Sequence, residues 1–131
     1  MNVALRYDES GHVDLDKLSH LLKAVGWDHR IKDRARLAQM VEGSCFVVAA
    51  YEGDELVGFA RAISDGVFNA YISTVAVLPR SQRRGVGSEM IRRLLHDRDG
   101  ITFALHAPEA GRFYERFGFK ASPHLYRRER R

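Results

Sequence analysis

The sequence predicts one mixed α/β domain in which a central sheet, largely antiparallel, is flanked by helices. Three observations predict it. Strand-like and helix-like apolar periods follow one another in the order β-α-α-β-β-β-α-β-α-β. Turn residues separate them without any Pro/Ser-rich linker, repeat or low-complexity tract that would mark a boundary. The 131 residues suffice for one hydrophobic core and not for two, so residues 1–131 are read as a single domain.

Each element has its own signal. Residues 3–7 alternate as a first strand. Leu15, Leu18, Leu21, Leu22 and Val25 then recur at helical spacing, with Asp14 placed to cap the first free amides and Gly26 to end the helix. A second helix is expected over residues 31–41, with Ile31, Ala35, Ala38 and Val41 on one face and Gly43 closing it. Residues 45–51, 56–64 and 71–78 are rich in Val, Phe, Tyr and Ile and read as strands. Glu52-Gly53-Asp54-Glu55 joins the first two as a hairpin turn, Asp65-Gly66 opens the next turn, and Pro79 stops the third strand. From Gly85 to about Asp97, the residues Val86, Met90, Ile91, Leu94 and Leu95 form an amphipathic stripe. Residues 101–106 make a short strand, and Pro108 begins a last helix carrying Ala110, Phe113, Tyr114 and Phe117. Gly118 caps it, and residues 119–126 return as strand. Strands joined by tight turns pair antiparallel, whereas the strand–helix–strand crossover between Tyr71 and His106 requires a parallel pair.

Composition excludes some classes of function. With 45% hydrophobic and 29% charged residues, no apolar run approaches the ~18 residues of a membrane span. Residues 1–16 mix Arg6, Asp8, Glu9 and Asp14 into their apolar positions, unlike a secretory leader, so cytoplasm is the expected compartment. Cys45 is the single cysteine, which rules out an internal disulfide, and its apolar neighbours predict a buried structural thiol. The six histidines show neither the paired helical spacing nor the cysteine partners of a zinc site, and no metal is expected. The net charge of +4, with Arg80, Arg83, Arg84, Arg92 and Arg93 in one region and Arg127, Arg128, Arg130 and Arg131 in another, favours an anionic partner. A phosphorylated cofactor, a nucleic acid and an acidic surface all satisfy that charge. No recognition-helix motif or paired aromatic platform supports nucleic acid.

The segment Val75-Ala76-Val77-Leu78-Pro79-Arg80-Ser81-Gln82-Arg83-Arg84-Gly85-Val86-Gly87 discriminates among them. It is a strand, a basic turn and two glycines opening a helix, whose free amides and positive dipole end bind phosphate. Gly85 and Gly87 lack side chains that would obstruct a close approach. The pattern is neither the Walker loop nor the dinucleotide fingerprint.

Here the chain resembles the GNAT acyltransferase superfamily, whose acetyl-CoA motif Gln/Arg-x-x-Gly-x-Gly/Ala is matched by Gln82-Arg83-Arg84-Gly85-Val86-Gly87. Val75-Ala76-Val77 stands where the family's cofactor-binding strand belongs, and Ala110 to Phe119 looks like its later signature, a helix carrying Phe-Tyr and ending in Gly-Phe. The likeness covers about residues 45–119; before them it is architectural. The resemblance implies an acetyl-CoA-dependent N-acetyltransferase acting by direct attack of a primary amine in a ternary complex. It implies that Val75, Ala76 and Val77 flank the pantetheine arm, and that the segment Gln82, Arg83, Arg84, Gly85, Val86, Gly87 and Ser88 holds the diphosphate, with Arg80 a further candidate. It also implies that the Val75 amide steadies the oxyanion and that Tyr114 protonates the leaving thiolate. Trp27 in the loop 26–30, with Tyr71 and the strands around Phe59 and Arg61, would line the acceptor pocket. The family's acidic base on the central strands has no counterpart among Tyr71-Ile72-Ser73-Thr74, which leaves Asp65, His106 and Glu109 as ionisable candidates. Ala107 stands where many members place an asparagine that holds the cofactor arm. The resemblance leaves the acceptor amine open among small molecules and peptides, and homodimers are frequent in the family. The alternative reading is a non-catalytic domain binding acyl-CoA, or a nucleic-acid-binding regulator.

Overall fold

The protein is described from a computed structural model, over residues 4–28 and 32–130. The elements are β1 (Leu5–Asp8), α1 (Leu15–Ala24), α2 (Arg34–Glu42), β2 (Phe46–Glu52), β3 (Glu55–Ser64), β4 (Asn69–Val77), a 3-10 turn (Pro79–Ser81), α3 (Val86–Leu95), β5 (Thr102–Leu105) and α4 (Gly111–Glu115). The strands form one five-stranded sheet in sequence order, β1-β2-β3-β4-β5. The first four pair antiparallel, and β5 joins β4 in parallel, as the crossover through α3 requires.

Helix starts follow the caps. Asp14 accepts from the amides of Asp16 and Lys17 and opens α1 where the sequence places it. Asp33 does the same for Arg36, so α2 begins at Arg34, later than the apolar spacing indicates. Residue 3 of the expected first strand, residues 29 and 30 of the loop 26–30, Ile31 of the expected second helix and Arg131 lie outside the described residues.

The core forms on both faces of the sheet. Gly58, Ala60 and Ala62 alternate onto the face covered by α3, and a Cβ built on Gly58 would stand 2.9 Å from Val86 Cγ1 and 3.1 Å from Met90 Cε. The helix thus rests against the β3 backbone itself. On the other face, Phe59 is buried with Leu18, Leu21 and Leu22 of α1, and Lys17 Nζ lies 5.9 Å from the centre of the Tyr51 ring. Each such apolar side chain contributes about 1.5–3 kcal/mol on burial, so the helices are held chiefly by their apolar faces.

Two expectations fail. Residues 119–126 form no strand; Pro123 lacks the N–H a ladder needs and interrupts the alternation there. Cys45 is exposed, because it precedes β2 and the buried run of that strand starts only at Val47. Its amide nevertheless donates to the Ala62 carbonyl at 2.9 Å.

Candidate active site

The parallel pair is short. Asn69, Ala70, Tyr71 and Ile72 face Thr102, Phe103, Ala104 and Leu105, and there β5 ends while β4 continues to Val77. Residues 73–77 therefore have no β5 partner, which leaves the ladder open beside Val75, Ala76 and Val77. In the β3–β4 register Arg61 faces Thr74 and Ala62 faces Ile72, leaving Ser73 as an extra residue on β4. Such a bulge bends its strand and increases the local twist.

The chain leaves β4 and folds over its end. The Leu78 amide donates to the Val57 carbonyl at 2.8 Å, and Gln82 Nε2 donates to the Val77 carbonyl at 3.1 Å. Gln82 thereby anchors the loop to the strand. Arg83 and Gly85 then take left-handed conformations, with φ of +66° and +82°. Gly85 caps α3 without a side-chain bond, and its carbonyl accepts from the Glu89 amide at 3.0 Å. Successive amides around left-handed residues at a helix N-terminus make an anion-binding concavity. The glycines serve it differently from the sequence argument. A Cβ on Gly85 would meet nothing within 4 Å, so its left-handed dihedral and not space favours glycine there; at Gly87 a Cβ would lie 3.4 Å from Phe113, an ordinary contact.

The arginines divide. Arg84 Nη1 donates to Glu52 Oε2 at 2.6 Å, and Arg80 pairs with Glu55 and lies 3.9 Å from Glu52. Arg83 is exposed. From α4, Arg116 Nη2 donates to Ser88 Oγ at 3.4 Å while its guanidinium lies 5.0 Å from the centre of the Phe113 ring. Sequence reasoning missed Arg116, because 28 residues separate it from Ser88. It also missed Ser81, whose hydroxyl is fully buried in the 3-10 turn with no hydrogen-bond partner among the described residues.

Tyr114 is 9% exposed and sits edge-on to Phe113 and Phe119, with ring centres 4.9 and 5.8 Å away. Burial pushes its phenol above the ordinary value of 10.0, so it holds its proton at neutral pH. The helix that carries it is shorter than expected, with Pro108 and Glu109 lying before it in a turn.

On the α1 face, Arg61 is 8% exposed and donates to Thr74 Oγ1 and Ser73 Oγ, each at 3.0 Å, and to Ser44 Oγ at 3.4 Å. Tyr71 faces Ile63 across the strands, and both are exposed. Trp27 is half-buried against the core. Of the candidate bases, Asp65 is committed elsewhere: its carboxylate accepts from the amides of Val67, Phe68 and Asn69 at 2.8–3.1 Å. These bonds hold its carboxyl below the usual range, which makes it a weak proton acceptor. His106 stands just beyond β5 and, like Glu109, is exposed. Among the described residues no group of His, Cys, Asp or Glu could hold a metal ion, and no helix is long and apolar enough to cross a membrane.

Comparison with known proteins agrees with this fold. The family described as acetyltransferase (GNAT) domain matches residues 42–121. The chain is 35% identical to an uncharacterized N-acetyltransferase, ycf52, of Gracilaria tenuistipitata var. liui, over 94% of this chain and 70% of that protein. It is 35% identical to serotonin N-acetyltransferase 2, chloroplastic, of Oryza sativa subsp. japonica (95% and 64%), and 34% identical to histone acetyltransferase TAP1 of Glycine max (89% and 56%). It thus spans only about half to two thirds of the length of several of these relatives. In fold, it superposes on a GNAT-family acetyltransferase of Streptococcus pneumoniae with a TM-score of 0.79 at 25% identity, covering 97% of this chain and all of that one. A GNAT-family structure from Xanthomonas campestris gives 0.83 at 23%, covering 98% and 95%.

Proposed function

Because the chain belongs to the GNAT acetyltransferase family, we propose that it is an acetyl-CoA-dependent N-acetyltransferase that acts on a primary amine by direct attack in a ternary complex. One observation carries this reading: the stretch of β4 at residues 73–77, which has no partner on its β5 side, leads through the 3-10 turn into the left-handed turn at Arg83 and Gly85 that opens α3. An extended arm with a diphosphate at its end fits a strand gap that runs into an anion cradle, as added-strand recognition does generally.

Acetyl-CoA, when bound, supplies the acetyl group as an activated thioester. The chain supplies the rest. Val75, Ala76 and Val77 present main-chain groups along the gap, and the amides of Arg83, Arg84, Gly85, Val86, Gly87 and Ser88 receive the diphosphate. Gln82 acts by tying the loop to Val77. The Val75 amide is assigned to the carbonyl oxygen where negative charge develops. Tyr114, protonated because it is buried, gives its proton to the departing thiolate. An alkylamine with a pKa near ~10.4 arrives charged at neutral pH, and with Asp65 committed to its turn, water is the proposed first proton acceptor.

For the acceptor, the exposed pair Tyr71 and Ile63, with Trp27 nearby in chain order after α1, supports an amine carrying an apolar or aromatic body. The name of the rice relative, a serotonin N-acetyltransferase, points the same way. Cytoplasm is the proposed compartment; the rice and Arabidopsis relatives carry chloroplastic names, so fractionation of the native source distinguishes the two.

The test is thiol release from acetyl-CoA over arylalkylamines, peptide amines, polyamines and aminoglycosides, with wild type beside Gly85→Glu. Amine-dependent release by wild type, with CoA affinity lost in Gly85→Glu, supports the reading. CoA binding without release from any amine returns the chain to a non-catalytic binding role, and full CoA affinity in Gly85→Glu removes the cradle.

A further inference from the structure

Arg80, Arg83 and Arg84 all stand in the loop assigned to the diphosphate, yet their side chains serve different ends. Arg80 and Arg84 reach Glu55 and Glu52, which belong to the turn between β2 and β3. In the order β2-β3-β4-β5 that turn lies on the side of β4 away from β5. Both arginines are thus turned from the β4–β5 gap. Between them, Arg83 is held at φ +66°, a region that residues with a Cβ avoid. Such a conformation persists only where its surroundings over-determine it.

We infer that Glu52, supported by Glu55, is a positioning residue for the cofactor loop: it clamps Arg84 and Arg80 on either side of Arg83, so that the chain keeps the left-handed turn whose amides face the diphosphate. Glu52 does not touch the cofactor. Its side chain is 20% exposed and bonded at 2.6 Å to Arg84, which is 40% exposed, so screening weakens this pair less than a fully exposed one. The Arg80–Glu55 pair, 53% and 43% exposed, is the lesser support. Arg83 then remains as the loop arginine left to face an anion.

The inference rests on the proposed cofactor reading, and one double-mutant cycle separates the two. CoA is titrated calorimetrically into wild type, Glu52→Gln, Arg83→Gly and the double variant, each checked for folding by thermal melting. With arginine at position 83, Glu52→Gln weakens CoA binding about tenfold, the change that about 1.4 kcal/mol produces. With glycine there, the same substitution costs less than about twofold, because glycine takes the turn unaided. A general structural role for Glu52 would cost the same in both backgrounds. Equal costs, no cost, or tighter binding in Glu52→Gln, as expected were the carboxylate merely repelling phosphate, would overturn the clamp. Should folded wild type bind no CoA, the cofactor reading fails by itself. Amide exchange at residues 83–86 in the ligand-free chain then decides the clamp: faster exchange in Glu52→Gln supports it, and unchanged exchange refutes it.

Discussion

At the scale of single residues, burial keeps Tyr114, the proposed proton donor, in its protonated form. Its ring is held edge-on by Phe113 and Phe119, and the same apolar surroundings push the phenol pKa upward. Phenylalanine keeps those ring contacts and removes only the proton. Tyr114→Phe is therefore expected to fold normally and to lose about 10²–10⁴ in kcat, with little change in KM for acetyl-CoA. Steady-state kinetics with the best amine of the panel, beside a thermal melt, checks this; an unchanged kcat means the residue only packs. The motif around Tyr114 was legible in the sequence, but its burial was not, since Phe119 meets it only because the chain turns at Gly118. Cys45 is the opposite case, where an apolar neighbourhood in sequence stands beside an exposed side chain.

At the scale of elements, the spacing between α3 and the sheet sets where the helix N-terminus points. Gly58 lets Val86 and Met90 approach the β3 backbone. Gly58→Val would insert atoms where even a Cβ lies 2.9 Å from Val86 Cγ1, too close to be absorbed by Met90 alone. It is expected to cost about 1–3 kcal/mol by overpacking and to weaken CoA binding as α3 shifts. Urea unfolding and CoA titration measure the two effects. Stability lost without any change in CoA affinity would mean that α3 moves as a unit with its cradle. Periodicity located α3 in the sequence, yet nothing in a lone glycine of a strand pattern indicates which helix lies above it. Residues 119–126 were misread for a related reason: β-rich composition is a statement about fit to a neighbouring strand, and Pro123 denies that fit.

At the scale of the whole molecule, the ionisable groups predict how stability depends on pH. Hydrogen bonds from backbone and side chain hold Asp8, Asp14 and Asp65 below the ordinary value of 3.8. A carboxyl depressed in the folded state contributes stability that is present above 3.8 and lost as pH falls through the lower folded value. Tyr7, Tyr51 and Tyr114 are raised above 10.0, chiefly by burial, and their contribution is complete below 10.0 and lost as pH rises through the folded values. Thermal melts should therefore show a plateau between these limits, a decline below 3.8 that Asp65→Asn makes shallower, and a decline above 10.0 that Tyr114→Phe makes shallower. Melts of the two variants that parallel wild type at both ends would contradict the assignment. Taken by itself, the sequence determined the element order as far as α4, the parallel crossover, the glycine-bearing turn that opens α3 and the family, because period, turn chemistry and motif spacing act over short stretches of chain. Only the tertiary structure decided that β5 stops short of Val77, that Arg80 and Arg84 face Glu55 and Glu52, and that Asp65 is spent on its own turn. Those facts depend on which distant groups share a space, and a linear pattern carries no record of that.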